Sequence, residues 1–411
     1  MRIKSNENPS AAGYDRFDWS MNRRAFLRSS ATAAAFGLAA SQAPAKLFAQ
    51  TAVRKFAPVK VARERLIREV VGLRPFRPEG YLVEAVRVGP KLLIHNYGHG
   101  GGGITLSWGT ASQAVDLVRD FPIPPAAASR RTARSIRPTR FAVIGCGVNG
   151  LSTAILLQRR YAEIGGTVTI YSKDLPPDTT SNIAGGFWSP TSVYDSDAVS
   201  TKFLEQFRAA SRIANRAFQL LVGADYGVRW MDIFDLSRTE ASLQRQLPGG
   251  NDLYPQQIVH RNAEKYFGFP FVRQYSTMVI EPQVYLRSLL RDFHSAGGHI
   301  VVKEFRSRDE VMMLPDQVIF NCSGLGALAL FNDQKLTPVR GQLEILLPQP
   351  EIDYCYLGPG YMFPHSDGIV LGGTFDRGDW SLDVNPEQRT EILNSHADVM
   401  KALKPPPDAT K

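Results

Sequence analysis

Two glycine-rich stretches hold the residue types whose spacing can do chemistry. In Gly145-Cys146-Gly147-Val148-Asn149-Gly150 an apolar run, Phe141-Ala142-Val143-Ile144, leads into three glycines at GxGxxG spacing. A helical pattern follows (Leu151, Ala154, Ile155, Leu157) as far as Gly165-Gly166, then a second apolar run, Val168-Thr169-Ile170-Tyr171. Strand, glycine turn, helix, strand is the context in which these glycines bind a dinucleotide. Gly145 permits the tight turn, Gly147 lets backbone approach a pyrophosphate, and Gly150 lets the helix pack closely. The helix N-terminus then offers unpaired N–H groups and partial positive charge. Glycine turns between strand and helix also occur with no ligand; the flanking elements raise this one above that reading. The second stretch is His95-Asn96-Tyr97-Gly98-His99-Gly100-Gly101-Gly102-Gly103. Four consecutive glycines expose a backbone that can approach a flat ligand and turn N–H groups toward it. The stretch is wedged between Leu93-Ile94 and a helix-like pattern through Thr105, Trp108, Gly109 and Ala111, where a loosely held loop would be costly.

These turns need sheets beneath them. Val318-Ile319-Phe320-Asn321-Cys322-Ser323-Gly324 reads as another strand of the nucleotide domain reaching a turn, and residues 200–222 and 282–296 have helical periodicity. Short alternating runs around Pro338-Val339-Arg340-Gly341-Gln342, Tyr361-Met362-Phe363-Pro364 and Leu371-Gly372-Gly373-Thr374 predict an antiparallel sheet in a second domain. A chain of 411 residues is long enough for two domains with sizeable cores. Three cysteines (Cys146, Cys322, Cys355) make no disulfide framework; the first two are expected as small buried hydrophobes. No His/Cys cluster has metal-ligand spacing, so no metal is expected.

The net charge of +9 is unevenly spread. Residues 1–60 carry ten Lys/Arg against three Asp/Glu, residues 121–140 add five Arg and no acid, and the remaining chain sums to −3. The basicity therefore belongs to a leader and a linker, without the interleaved aromatics of a nucleic-acid surface. Asn22-Arg23-Arg24-Ala25-Phe26-Leu27-Arg28 resembles a twin-arginine motif, followed by the weakly apolar Ala31–Ala40 and a plausible cleavage site at Leu47-Phe48-Ala49. That apolar segment is too short for a stable membrane anchor, so export to the periplasm or outside is expected. Residues 121–140, rich in Pro, Ala, Ser and Arg, read as a linker.

Taken together, the motifs resemble the D-amino-acid oxidase family of FAD enzymes, which includes D-aspartate oxidase. The fingerprint, Thr179-Thr180-Ser181, Ala184-Gly185-Gly186-Phe187-Trp188, Asn321-Cys322-Ser323-Gly324, Arg340-Gly341-Gln342 and Leu371-Gly372-Gly373 all carry the likeness. Most specific is His95 to Gly101, with Gly103, Gly109 and Ala111 at the spacing of the family's signature. The resemblance implies an α/β (α+β overall) fold: a Rossmann-like FAD-binding domain and a substrate domain with a mixed/antiparallel sheet. In the family the fingerprint comes first; here Gly72-Leu73-Arg74-Pro75 and the His95 stretch precede it. The order reads as a circular permutation. Residues 1–50 are then the leader, 54–120 a moved segment completing both domains, 121–140 a linker, and 141–411 the FAD-binding domain interleaved with the substrate domain.

Carried over by residue, the resemblance implies that Gly145, Gly147, Val148, Asn149 and Gly150 hold the FAD pyrophosphate, helped by Thr179, Thr180 and Ser181. Asp174 and Ser323 also belong to the implied cofactor site. Gly185, Gly186 and Phe187 lie against the flavin on one side, and Gly100, Gly101, Gly103, Ile104 and Thr105 on the other. Arg74 matches the arginine that holds the substrate carboxylate, where a planar fork suits bidentate binding. Tyr361 matches a tyrosine that contacts the same carboxylate, and Gly101 and Ser189 border the substrate. Three departures stand out. Lys173 occupies the place of an acidic ribose contact, with Asp174 after it; the segment between Gln342 and Tyr361 is short, leaving Tyr356 as the nearest match to a second substrate tyrosine; and Ser189 replaces a longer amide. The implied reaction is oxidative deamination of a D-amino acid with O2, giving 2-oxo acid, ammonia and hydrogen peroxide. A glycine- or amine-type oxidase, a dehydrogenase, and a flavin-binding protein without turnover remain open, as does a homodimer.

Overall fold

The computed structural model describes residues 56–120, 139–264 and 268–403. Its strands, in chain order, are β1 (Leu66–Phe76), β2 (Leu82–Val88), β3 (Lys91–Tyr97), β4 (Arg140–Ile144), β5 (Thr167–Ser172), β6 (Val228–Ser237), β7 (Ile258–Arg261), β8 (Phe271–Ile280), β9 (His299–Val302), β10 (Val318–Asn321), β11 (Thr337–Leu346), β12 (Tyr354–Leu357), β13 (Tyr361–His365), β14 (Gly368–Gly372) and β15 (Asp376–Arg377). The α-helices are α1 (Gly103–Asp120), α2 (Val148–Tyr161), α3 (Thr201–Gln219), α4 (Pro282–Ser295), α5 (Arg308–Met312), α6 (Gly326–Phe331) and α7 (Pro386–Ala402). The export leader expected in residues 1–50 lies outside the described residues, as does most of the expected linker. The linker's last residue is corrected: Arg140 opens β4, opposite Thr167, with its guanidinium donating to the carbonyl of Pro315 at 2.7 Å.

One sheet has the order β2-β3-β10-β4-β5-β9. All its pairings are parallel except β2 with β3. Its central strands are covered on both faces, which is why Phe141–Ile144 and Val318–Asn321 are unbroken buried runs rather than alternating ones. Helices α1, α2 and α4 belong to the same layered core, where Leu92, Ile94, Trp108, Phe141, Val143, Leu151, Ile155 and Phe320 meet. The strand order reverses between β4 and β10, the point at which such sheets open a crevice beyond their carboxyl ends.

The other sheet runs β1-β11-β14-β13-β12-β6-β8-β7, with β15 added on β11. It is antiparallel apart from the parallel pair β12·β6, so the mixed second sheet is present. Helix α7 packs on β11 and β14. Residues 66–120 serve both sheets: β1 pairs with β11 from Leu66 opposite Leu346 to Phe76 opposite Thr337, while β3 pairs with β10. The described residues share one compact unit, and none of their helices is long and apolar enough to cross a membrane.

Because β1 and β3 are each paired with strands from beyond residue 300, chain continuity between residues 66–120 and 140 onward should be dispensable once the protein is folded. Cleavage at a protease site inserted beside Ala127 should leave two fragments that co-elute in native size-exclusion chromatography. Fragments that separate would show that the pairing of β1 and β3 does not hold them.

Candidate active site

A cavity of about 1200 Å³ lies where the two sheets meet. That exceeds the roughly 300–1,000 Å³ of ordinary small-molecule pockets and suits a dinucleotide with a substrate beside it. Its floor is built from the carboxyl ends of the parallel strands: Ile144-Gly145 after β4, Ser172 to Asp174 after β5, Cys322-Ser323 after β10 and Lys303 after β9.

The turn after β4 explains its own glycines. Gly145 has φ +106, and a Cβ there would stand 2.5 Å from the Cys322 carbonyl oxygen. A Cβ on Gly150 would come within 2.0 Å of the Gly145 carbonyl oxygen, so only glycine lets α2 seat against the turn. Gly147 differs: a Cβ there would meet only the Ser181 hydroxyl, at 3.2 Å, so its open side faces the cavity. Among the described residues no side chain caps α2 at Gly147. Ser181 Oγ instead accepts from the Val148 N–H at 3.0 Å, tying Thr180–Ile183 to the helix start.

The His95 stretch approaches from the other side. Its glycines are not an open loop: Gly100–Gly102 form a 3₁₀ turn and Gly103 is the first residue of α1. A second helix N-terminus therefore borders the cavity, through Gly103, Ile104 and Thr105. Two buried histidines fix it. His95 stands opposite Asn321, whose amide donates to His95 Nδ1 at 3.1 Å. The Asn321 Oδ1 in turn accepts from the Ser323 hydroxyl at 2.6 Å, pinning the turn after β10. His99 Nε2 lies 3.1 Å from the Thr110 hydroxyl, which donates to Asn149 Oδ1 at 3.4 Å and so joins this segment to α2. Burial pushes the His95 pKa down to about 4 and that of His99 down to about 3, so both rings are neutral spacers at neutral pH.

The large sheet forms the opposite wall. Residues 186–188 lie along β8, with the Ile280 N–H donating to the Gly186 carbonyl at 2.8 Å. This stacks Phe187 on Phe363 (centroids 4.5 Å apart), and Phe363 in turn on Tyr361 (5.1 Å). Tyr361 crosses over Gly372, its partner on β14, where a Cβ would stand 2.2 Å from the ring. Arg74 crosses over Gly341, where a Cβ would stand 2.4 Å from the guanidinium nitrogens. The Arg74 fork donates weakly to the carbonyls of Arg340 (3.3 Å) and Thr374 (3.5 Å), and no carboxylate among the described residues pairs with it. The glycines of the Arg340-Gly341-Gln342 and Leu371-Gly372-Gly373 motifs are therefore seats for a cation and a phenol on the cavity wall.

A family model described as "FAD dependent oxidoreductase" (DAO) matches residues 140–410. The chain belongs to that family. It is 30% identical over 276 residues to a D-amino acid oxidase of Dugesia ryukyuensis, covering 64% of this chain and 78% of that one. Similarity to D-aspartate oxidase of Homo sapiens is 32% over 262 residues, 62% of this chain and 74% of that one. A D-amino-acid oxidase of Rubrobacter xylanophilus is 31% identical over 266 residues, 62% and 75% respectively. The cofactor of this DAO-family enzyme is FAD. The cavity fits it: two helix N-termini, at Gly147 and Gly103, face one large space with no Cβ in the way.

Of the residues expected at the site, the structure brings all but two to the cavity of this DAO-family chain. Arg74, Gly100, Gly101, Gly103, Ile104, Thr105, Gly145, Gly147, Val148, Asn149, Asp174, Thr179, Thr180, Ser181, Gly185, Gly186, Phe187, Ser189, Ser323 and Tyr361 line it. Gly150 does not; it faces Gly145 inside the turn. Tyr356 does not either, because alternation along β12 turns Tyr354 and Tyr356 away and sends Leu357 to the cavity. Its hydroxyl bonds His396 Nδ1, and His396 Nε2 donates to the Gly372 carbonyl at 3.1 Å. Sequence reasoning missed Asp235, Arg273 and Tyr275, which also line the cavity. The available signal was a charge inside an apolar strand run, as at Arg273 within Phe271-Val272-Arg273-Gln274-Tyr275.

Tyr356→Phe should leave flavin content and kcat/KM where they are and lower stability by about 1–3 kcal/mol, since His396 Nδ1 loses its buried donor. Thermal unfolding and steady-state kinetics decide this; a raised KM at unchanged Tm would return Tyr356 to the substrate.

Proposed function

We propose that this chain oxidises D-amino acids at the CH–NH2 group with O2, giving the 2-oxo acid, ammonia and hydrogen peroxide. The observation that carries the reading is the pairing of Arg74 and Tyr361 on one wall. An arginine with no carboxylate partner among the described residues, and a phenol stacked through Phe363 to Phe187, line the same cavity, each seated over a glycine of the large sheet. The relatives named above, oxidases of D-amino acids and D-aspartate, support it. Arg74 offers its planar fork to the α-carboxylate, and the Tyr361 hydroxyl takes the same group from the side, which fixes the direction of the Cα–H bond. FAD bound there would supply the two-electron acceptor for that bond, with O2 as the final oxidant. N–H groups at Gly147 and at the start of α1 would face the cofactor's negative charge. The Cα hydrogen would leave with its bonding pair, as hydride, so no side chain need remove it as a proton; water then hydrolyses the imino acid to the 2-oxo acid and ammonia.

The purified protein should be yellow and produce peroxide from D- but not L-amino acids. Peroxide from glycine or sarcosine alone would favour the glycine-type reading, dye reduction without peroxide a dehydrogenase, and yellow inert protein a flavin binder. Arg74→Ala should keep flavin yet lose roughly 2–5 kcal/mol of transition-state stabilisation, about 30-fold or more in kcat/KM. An unchanged kcat/KM would remove Arg74 from the substrate.

We also infer that the chain order is a circular permutation of the family's. The match to the family begins at residue 140, whereas β1, which completes the large sheet, and β2 and β3, which complete the smaller one, precede it. We infer further that the leader around Arg23-Arg24 directs twin-arginine export, a route for folded proteins that allows FAD to be loaded first. Changing Arg23 and Arg24 together to Lys should retain the protein in the cell; fractionation showing continued export would rule the route out.

A further inference from the structure

Past Tyr361 the cavity continues along a single row of the large sheet. Gly372, Tyr361, Leu357, Asp235 and Arg273 stand opposite one another on successive strands β14, β13, β12, β6 and β8. Opposed residues share a face, and all but the glycine line the cavity. With strands about 4.8 Å apart, Asp235 lies two strands, or about 10 Å, from Tyr361 at the backbone. Leu247, Pro248 and Tyr275 line the same lobe.

The row ends in an ion pair whose two members are not equally placed. Arg273 Nη2 meets Asp235 Oδ2 at 2.8 Å, and Arg273 Nη1 donates to the Arg245 carbonyl at 2.6 Å. The arginine side chain is 9% exposed and the aspartate 25%. Both members line the cavity; the arginine is the more buried, with its Nε unpartnered, and the carboxylate is the more exposed of the two. Among the described residues nothing bonds Asp235 Oδ1. A group arriving at that oxygen is closer to the negative end of the pair than to the positive end, and Coulomb's law favours a cation there and penalises a second carboxylate. Arg74 at one end and Asp235 at the other give the wall the charge order of a basic amino acid read backwards.

We propose that this lobe selects D-amino acids whose side chain ends in a cationic donor, an ammonium or guanidinium at the reach of lysine or arginine, with Asp235 as its acceptor. The assignment rests on Arg74 and Tyr361 holding the α-carboxylate. It is tested on the holoenzyme by comparing kcat/KM for D-lysine, D-norleucine (the same chain without the ammonium) and D-glutamate. D-Lysine should exceed D-norleucine by about tenfold or more, the scale of one charge-assisted hydrogen bond, with D-glutamate poorest. Asp235→Asn, which keeps an oxygen for Arg273, should collapse the D-lysine to D-norleucine ratio to about one. Should that variant not fold, Asp235→Asn combined with Arg273→Gln tests the same ratio without a buried unpaired charge. Equal or inverted rates for D-lysine and D-norleucine in the unaltered enzyme overturn the proposal, as does a ratio that survives Asp235→Asn. Those results leave D-amino-acid oxidation itself standing. Silence on every D-amino acid instead overturns that underlying reading, and this proposal with it.

Discussion

The antiparallel pairing of β1 with β11 is the constraint on which the site depends. Backbone hydrogen bonding sets its register residue by residue, and a slip of one position would turn every side chain of β1 to the other face. In the register present, Arg74 lies across from Val339 and its fork reaches over Gly341. A cation near the beginning of the chain is thereby delivered to the wall that carries Tyr361. Its position is inherited from the strand, and the glycine opposite leaves the room it needs.

The rest of the site follows from where a parallel sheet ends. Each parallel strand of the smaller sheet stops at the cavity, and two of them hand over to helices, α1 and α2, whose first residues are glycine-bordered. Backbone N–H groups thus supply positive potential with no long cationic side chains to order. His95 and His99, which look like chemistry in the sequence, hold those backbones in place through Asn321, Thr110 and Asn149. Both are kept neutral by burial, so they add no charge where the flavin's own charge has to be accommodated.

Much of this was legible beforehand because glycine spacing is a local property. Gly145, Gly147 and Gly150 announce a turn and a helix within six residues, and the same is true of Gly100 to Gly103. Arg74 and Tyr361 were legible only through family resemblance; by themselves they are an arginine before a proline and an aromatic in an apolar run. Tyr356 was misjudged because a strand's facing is decided by parity, and one position of difference from Leu357 sends it into the core beneath α7. Asp235 and Arg273 carried no motif at all. They become neighbours only through the β6·β8 register, a pairing of residues far apart in the chain that no local pattern encodes.

The cavity walls come from two stretches of chain, residues 72–105 and 144 onward, joined across the site chiefly by sheet pairing and the His99–Thr110–Asn149 contacts. A ligand bound between them is also a cross-strut. Because it binds only the assembled form, its free energy of binding adds to the free energy of holding the stretches together, by about 2.7 kcal/mol at a hundredfold excess over Kd. Proteolysis that proceeds through the opened form is slowed in the same proportion, so flavin occupancy bears on how long the polypeptide survives as well as on its activity.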